Sequence, residues 1–337
     1  MRLRELWLAL GVGLAVAGCP KKEDVIIEHT AERPLTDAEI DADPLALLPG
    51  GAVGVVSGDA KTLFASSFGE RLATMARAPI PPAAGFEPTR DLERMVLGFY
   101  SMQGADFAAV ATGTFDRARI EGAADGTQQT PLGAPLVKSS YAGRELYTSR
   151  NVGFVVLTAR TVILGNETGI RRALDRIKEG RVRRALPEGF EELAKTPGAA
   201  LVAAFDLRAQ PLPDAARSHL PFMNELETAR VLGNFEPPGM NLAGTLTYPD
   251  NEKAEQGSQT MRALADNAQA FGWLINLLGI PQPIRKLETQ VVERETKFVA
   301  ALDGEAMAGL LERGARMMGI PVQPKVIPAT MTPGQAP

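Results

Sequence analysis

The chain contains a single cysteine, Cys19, which lies at the end of a short apolar stretch near the N-terminus. One thiol cannot form a disulfide within the chain, so the burial of apolar surface must stabilise the fold. Hydrophobic residues make up 45% of the sequence, which is enough for ordinary globular cores. About 300 residues follow the apolar stretch, more than one compact core usually holds, and this length predicts two domains.

The first 18 residues have the composition of a secretory signal peptide. Arg2 and Arg4 open the chain, Leu6 to Val16 form an apolar core, and small residues precede Cys19. The apolar core is about half as long as the ~20 residues that a transmembrane helix needs. We therefore predict a cleaved signal peptide over residues 1–18. The alternative is an uncleaved anchor in which the cysteine has no role.

Val16, Ala17, Gly18 and Cys19 together resemble the lipobox of bacterial lipoprotein signal peptides. The resemblance implies that Cys19 becomes the first residue of the mature protein and carries acyl chains such as palmitate. Each buried methylene of an acyl chain contributes about 0.8 kcal/mol, so several chains hold a protein stably on a bilayer. Pro20 follows the cysteine, where an Asp would favour the inner membrane. The resemblance therefore implies a cell-envelope protein on the outer membrane.

The charge balance argues against nucleic acid as a partner. Removal of residues 1–18 takes Arg2, Arg4 and Glu5 from totals of 36 basic and 40 acidic residues, which leaves 34 and 39, a net charge of −5. A nucleic-acid-binding domain normally carries a basic excess instead. Apart from the signal peptide, no apolar run approaches the length of a membrane span.

Residues 19–46 are predicted to form a lipidated, disordered tether, because they hold too few large apolar groups to offset the entropy of ordering. An EF-hand calcium loop starting at Asp37 would need Gly at its sixth position and Glu at its twelfth, where the chain has Ala42 and Leu48. The Pro-rich stretch 321–337 is predicted to be a disordered tail. The acidic residues that suggest calcium are Asp37, Glu39, Asp41 and Asp43.

Three pairs of similar segments indicate that the chain between these ends is duplicated. Their offsets of 148, 134 and 136 residues are close enough to favour duplication with small insertions over chance. A repeat of this length means two copies of a domain rather than a solenoid. We predict the copies at residues 47–185 and 186–320. The pairs are Pro49–Asp59 with Pro197–Asp206, Phe107–Asp116 with Asn241–Asp250, and Val155–Gly165 with Val291–Gly304.

Each copy has the pattern of short strands joined by tight turns, together with amphipathic helices. Helices are predicted at 62–77 and 252–278, and apolar residues at helical spacing predict another from residue 170. An antiparallel meander with turn residues Asn151 and Gly153 is predicted from strands at 144–149, 152–158 and 161–165. Strands joined by short turns pair in antiparallel sheets. We predict the α+β class, with two tandem related domains. Each would be an antiparallel sheet with helices on one face, in a ferredoxin-like or split β-α-β arrangement.

The sequence contains no recognisable catalytic or cofactor-binding motif. Of two histidines, His29 lies in the tether and His219 near a Pro-rich turn, and neither has a metal-ligating residue at ligand spacing. The motifs of serine hydrolases with a nucleophile elbow and of zinc proteases are absent. We predict no metal, no cofactor and no enzymatic activity. A hydrolase whose triad assembles in space around His219 is an alternative.

Residues 165–169 lie between a predicted strand and a predicted helix, as a phosphate-binding loop does, but they lack its Gly-Lys-Ser/Thr ending. We expect a simpler role for this stretch. Asn166 would cap the helix, and Glu167 would lie favourably at the helix's positive end.

One segment is strongly basic in a chain that is acidic overall. Its cations could contact anionic lipid headgroups, lipopolysaccharide or an acidic partner. The alternative is a solvated helix face, on which Asp175 and Glu179 form ion pairs such as Arg171 with Asp175. The seven cations are Arg171, Arg172, Arg176, Lys178, Arg181, Arg183 and Arg184.

Residues 271–278 are apolar nearly all round a predicted helix. Burial between the two copies explains this pattern, with Trp273 at the interface. The alternative is a docking surface for another envelope protein or for lipid, formed by Phe271, Trp273 and Leu274.

Together these features predict a lipid-anchored envelope protein without catalytic activity, built as an interaction or structural module. Over about residues 47–318 the body resembles uncharacterised, duplicated α+β bacterial lipoproteins, and that resemblance carries no catalytic residues. Its partners would be the membrane, through the lipid on Cys19, and another envelope protein. A second hypothesis is a solute-binding lipoprotein with its ligand in a cleft between the copies. The antiparallel hairpins argue against it, because such proteins normally have doubly wound lobes, and a small-molecule ligand is therefore not expected.

Overall fold

The computed structural model describes residue 33 and residues 35–101, 106–124, 129–270 and 282–317. Several predicted features lie outside these residues: the signal peptide with Val16, Ala17, Gly18 and Cys19, the tether residue His29, the docking residues Phe271, Trp273 and Leu274, and the tail 321–337.

The strands of the described residues form one sheet, and its neighbouring strands pair antiparallel. In chain order they are β1 (Gly54–Asp59), β2 (Leu92–Ser101), β3 (Asp106–Gly113), β4 (Val137–Tyr141), β5 (Arg144–Ser149), β6 (Val152–Val156), β7 (Thr161–Asn166), β8 (Leu201–Asp206), β9 (Thr228–Asn234), β10 (Gly239–Thr247), β11 (Ile284–Val292) and β12 (Glu295–Asp303). Across the sheet the order is β11-β12-β10-β9-β8-β1-β2-β3-β7-β6-β5-β4.

The helices of the described residues connect these strands and cover the sheet. They are α1 (Asp37–Ala42), α2 (Ala60–Phe64), α3 (Gly69–Arg77), α4 (Pro88–Asp91), α5 (Arg117–Gly122), α6 (Glu167–Lys178), α7 (Phe190–Leu193), α8 (Asp214–His219), α9 (Asn251–Ala270) and α10 (Gly304–Met317).

This architecture confirms the α+β class, although the strands are arranged differently from the prediction. Strands of both predicted copies belong to one sheet, because β1 pairs with β8 along its length. The split β-α-β order would place another strand between β1 and β2, yet these strands are direct neighbours. The turns and short helices between β1 and β2 fit either arrangement, the split β-α-β order or direct pairing of the two strands. Local sequence patterns therefore could not distinguish these two strand orders.

The three pairs of similar segments occupy corresponding places on either side of the β1–β8 contact. From the centre outwards, β1, β2 and β3 correspond to β8, β9 and β10. Next to β3 lies β7 and then β6, and next to β10 lies β12 and then β11. A helix follows β7 and another follows β12. The sheet continues from one segment to the other through the pairing of β1 with β8, so the strands do not mark a boundary at residue 185. The division into two domains there stays a prediction.

In the segment 47–185 both faces of the sheet are buried, whereas the prediction placed helices on one face. The consecutive β3 residues Val110 and Ala111 point to opposite faces, and each is nearly inaccessible to solvent. Val110 belongs to a cluster that includes Leu174 of α6. Ala111 belongs to a second cluster that includes Ile120 of α5. Two apolar faces on one strand therefore require cover on both sides.

The predicted tether is shorter than expected at its C-terminal end. Thr36 and Glu39 form a capping box that starts α1. The next turn places Ile40 in the core with Leu47, and both side chains are fully buried. Ile40 and Leu47 are enough to dock a short helix on the core. The average composition of residues 19–46 did not show this, because these two side chains are few among many polar ones.

In the segment 186–320 helices α9 and α10 cover one face of the sheet. Ala254 and Met261 of α9 pack with Leu246 and Tyr248 in a third apolar cluster. Helix α10 packs against α3, where Nε of Arg71 lies 2.6 Å from Oε1 of Glu312. The opposite face, formed by β9, β10, β11 and β12, carries alternating polar residues.

Candidate functional site

The open face of the second segment presents two rows of side chains across β9, β10 and β12. The register aligns Arg230, Thr245 and Lys297 in the first row. It aligns Leu232, Ala243 and Val299 in the second. Val299 is 50% exposed, one of the most exposed large apolar side chains in the described residues. A polar row beside an apolar row is a surface that a protein partner could contact.

Helix α7 forms one wall of a groove on this face. Gly189 precedes the helix in a left-handed conformation (φ 78°), which turns the chain towards β9. Leu193 of α7 then lines the groove together with Leu232. The groove has a volume of about 620 Å³, and its other wall is the charged row of Arg230 and Lys297.

The charges around the groove largely cancel. Nη2 of Arg230 lies 3.2 Å from Oε1 of Glu295, and both side chains line the groove. An adjoining hollow of about 130 Å³ shares these two residues. It also contains the Asp206–Arg208 pair, in which the hydrogen bond from Arg208 lowers the pKa of the Asp206 carboxyl. Paired charges of both signs favour neither a simple anion nor a simple cation.

The described residues contain no group of three or more His, Cys, Asp and Glu side chains that could hold a metal ion. His219 ends α8, and its side chain lies outside the described set. Neither the predicted absence of enzymatic activity nor the hydrolase alternative is therefore tested by the structure.

The basic segment is mostly neutralised by carboxylates. Four of its seven cations have ion-pair partners in the structure, and most of these partners are not the Asp175 and Glu179 that the solvated-face alternative names. These pairs are Arg171 with Glu167, Arg172 with Asp106, Arg181 with Glu179, and Arg184 with both Asp43 and Glu191. The excess of positive charge seen in the sequence is therefore much smaller in the folded protein.

The expected pair of Arg171 and Asp175 does not form. Arg171 is paired with Glu167 at 2.5 Å instead, and its guanidinium lies 4.3 Å from the ring centroid of Tyr141. The Tyr141 hydroxyl donates a hydrogen bond of 3.1 Å to Oδ2 of Asp175. A tyrosine from β4 thus separates the two side chains, which helical spacing alone could not predict.

The remaining three cations differ in their surroundings. Arg176 is partly buried and donates a hydrogen bond of 2.6 Å to the Arg183 carbonyl oxygen, and burial lowers the pKa of its guanidinium. Lys178 and Arg183 are exposed, and within the described residues neither side chain has a carboxylate partner. Only these two cations of the segment are left for an anionic partner.

The Gly165–Gly169 stretch caps a helix, as expected. The side chain of Asn166 accepts hydrogen bonds from the backbone N–H of Gly169 at 3.1 Å and of Phe107 at 3.2 Å. Glu167 lies in the first turn of α6. This geometry satisfies the helix N-terminus from within the protein.

Sequence reasoning missed the open face, although its signal is present. Polar residues alternate along β11 and β12, with Lys286, Glu288 and Gln290 in one strand and Glu295 and Lys297 in the next. This period of two marks a half-solvated strand pair.

The fold and the surface define a class: an α+β protein built on one wide antiparallel sheet. Solved structures with this fold exist. Crystal form I of TP0453 has a TM-score of 0.50 and 12% identity, covering 80% of this chain and 97% of that chain. Crystal form III of TP0453 has a TM-score of 0.51 and 11% identity, covering 80% and 98%. Likeness at this identity shows the shared fold alone.

No protein-family model matches this chain, and no curated protein matches it in sequence. In the described parts of the chain, no helix is both long enough and apolar enough to span a bilayer.

Proposed function

We propose that this chain is a lipid-anchored protein of the bacterial cell envelope, attached through Cys19 to the outer membrane, which acts by binding rather than by catalysis. The observation that carries the proposal is the lone cysteine placed directly after Val16, Ala17 and Gly18. A chain that otherwise avoids cysteine has it where lipid attachment requires one.

The start of the packed body supports this anchoring. Helix α1 begins at Asp37, so the link from Cys19 to the body is fewer than twenty residues long. Such a link spans at most about 65 Å when fully extended. An acylated Cys19 would therefore hold the sheet close to the bilayer surface, where envelope partners can reach it.

The distribution of charge supports binding rather than catalysis. Two charged side chains of the groove on the open face, Arg230 and Glu295, form an ion pair, and the groove is lined by as many acidic as basic residues. Catalytic groups usually have pKa values shifted towards neutrality by burial or by like charges. The Asp206 carboxyl beside the groove has its pKa shifted downwards, away from neutrality. A neutralised surface of this kind suits contact with another macromolecule.

The location of the groove gives no support to the hypothesis of a solute-binding lipoprotein with its ligand between the two copies. All of its lining residues, from Gly189 to Phe298, belong to the second segment. A cleft between the two copies would instead be lined by both.

Two substitutions test the anchoring. Cys19→Ser should leave the protein with its signal peptide uncut at the lipobox and without acyl chains, as measured by intact mass and membrane fractionation. Pro20→Asp is the matched variant: it keeps the thiol, so the mature protein should stay acylated and shift to the inner membrane. A wild-type protein with an unmodified residue 19, or with Met1 intact, would contradict the proposal.

A further inference from the structure

Among the residues that the structure describes, strand β4 forms one edge of the sheet, and its outer side lacks the protective features of the other edge. At the opposite edge, β11 has a register irregularity between Ile284 and Lys286 and carries several exposed charges. Such features discourage pairing with another strand. β4 pairs in regular register with β5, and its one charge, Lys138, is neutralised by Glu145 at 2.9 Å.

The most exposed large apolar side chain of the described residues lies on this edge. Val137 is 57% exposed. It shares a face of the sheet with Ser139 and Tyr141, because side chains two residues apart point the same way. Tyr141 is held in place by its hydrogen bond to Asp175 and by the guanidinium of Arg171.

The backbone of β4 is also ready to pair. Ala142 and Gly143, both with positive φ, form a two-residue turn, so Tyr141 and Arg144 close the hairpin. In such a hairpin the closing pair is hydrogen-bonded, and bonding then alternates along the strand. The N–H and C=O groups of Lys138 and Ser140 therefore point away from β5, towards the edge.

We propose that β4 binds β4 of a second copy of this chain, forming a symmetric antiparallel dimer centred on Ser139. In this register Val137 lies opposite Tyr141 of the second copy, and Lys138 lies opposite Ser140. A valine beside an aromatic ring is a favourable cross-strand pair. The two lysines are not opposite each other, so the symmetry brings no like charges together. The contact is self-complementary, as a two-fold interface requires.

This dimer is independent of the proposed lipid anchor. Both copies would use the same edge, so the contact closes on itself and cannot grow into a filament. It would bury the exposed Val137 and satisfy the outward backbone groups of Lys138 and Ser140 in each copy. The open face of the second segment, at the far side of the sheet, would stay accessible.

A cysteine placed on the two-fold axis tests the register. In the full chain with Cys19→Ser in detergent, Ser139→Cys supplies the only thiol. The two Ser139 positions form a non-hydrogen-bonded pair, with Cα atoms about 4.5 Å apart, within the range of a disulfide. The matched control is Ser140→Cys, whose copies would be about 8 to 9 Å apart, too far to bridge.

Under mild oxidation we expect the Ser139→Cys chain to run largely as a covalent dimer on non-reducing gels, and the Ser140→Cys chain to stay monomeric. Equal cross-linking of both, or none in the first, would overturn the proposal. Near-ultraviolet circular dichroism checks that both chains are folded.

A second pair of variants measures the association without a cross-link. Val137→Lys should weaken dimerisation at least tenfold in sedimentation velocity. Val292→Lys replaces the exposed valine of the opposite edge and should leave dimerisation unchanged. A loss in both, or in neither, would contradict pairing through β4.

Discussion

Oγ1 of Thr158 donates a hydrogen bond of 2.6 Å to Oδ1 of Asp41, joining the start of the packed body to the β6–β7 turn 117 residues away. Oδ1 of Asp41 accepts a second hydrogen bond, of 2.7 Å, from Oγ1 of the buried Thr161. One carboxylate thus fixes α1 against the sheet.

Removal of this carboxylate should destabilise the fold. Hydrogen bonds to charged groups contribute about 1.5–3 kcal/mol each when buried. Asp41 is partly exposed, so we expect Asp41→Ala to lower the free energy of unfolding by less than two such bonds, about 2 kcal/mol. Urea unfolding monitored by circular dichroism measures the change. Asp37→Ala, an exposed residue in the first turn of α1, is the control and should cost less than about 1 kcal/mol. Equal effects would contradict a specific role for Asp41.

The packing of α1 makes a separate prediction at the neighbouring residue. Ile40 is fully buried among Leu47 and other core residues. Ile40→Ala should therefore cost about 2–5 kcal/mol of unfolding free energy, through lost apolar burial and the cavity that remains. Val299→Ala, at a half-exposed position, should cost about 1 kcal/mol or less. A negligible effect at Ile40 would mean that the tether extends through this helix after all.

The capping box at the start of α1 predicts an acid-sensitive N-terminal segment. Hydrogen bonds from the Arg33 guanidinium and from Thr36 lower the pKa of Glu39 from 4.5 to about 2. Because the folded-state pKa is depressed, the stabilisation is complete above about pH 4.5 and is lost as the pH falls towards 2. NMR titration of Glu39 should show this low midpoint. In Glu39→Gln the pH dependence of α1 between pH 4.5 and 2 should largely disappear, and a Glu39 midpoint near 4.5 would contradict the pairing.

The basic segment allows a comparison of two adjacent cations. Arg184 is paired with Asp43 and Glu191, whereas Arg183 has no carboxylate partner in the described residues. Arg184→Glu should lower stability by up to about 1 kcal/mol, as expected for an exposed ion pair. Arg183→Glu should leave stability unchanged. If the segment contacts anionic lipid, Arg183→Glu should also weaken binding to vesicles that contain anionic headgroups, measured by co-sedimentation. Unchanged vesicle binding would contradict a lipid contact at Arg183.

Local patterns in the sequence predict the elements of the first segment well. The strands expected at 144–149, 152–158 and 161–165 are close to β5, β6 and β7. The turn chemistry is partly different: Gly153 lies within β6, where a Cβ atom would come within 2.2 Å of the Tyr147 carbonyl oxygen. The helix expected at 62–77 is divided into α2 and α3. Apolar spacing cannot show such a break.

Long-range pairing is what the sequence could not show. The match of Ala52–Asp59 with Ala199–Asp206 aligns Val55 with Val202, yet in the sheet Val55 is paired with Ala204. Antiparallel neighbours related by a two-fold axis keep equivalent side chains on one face. Equivalent positions in β1 and β8 therefore differ by an odd offset, as Asp59 and Asp206 do at 147 positions apart. The sequence match is thus correct for the face on which each residue lies, but it does not show which residues are paired across the sheet. The open face and the β4 edge depend on this arrangement, so they emerge only from the structure.

The continuous ladder between β1 and β8 has a consequence for proteolysis. The stretch 181–187 joins the two segments without regular structure, and several of its residues are exposed. A protease that cuts there would not separate the segments, since five residue pairs of the ladder and the contact of Val53 with the second segment's apolar cluster would still hold them. The nicked protein would keep its shape and divide into two fragments only in denaturant.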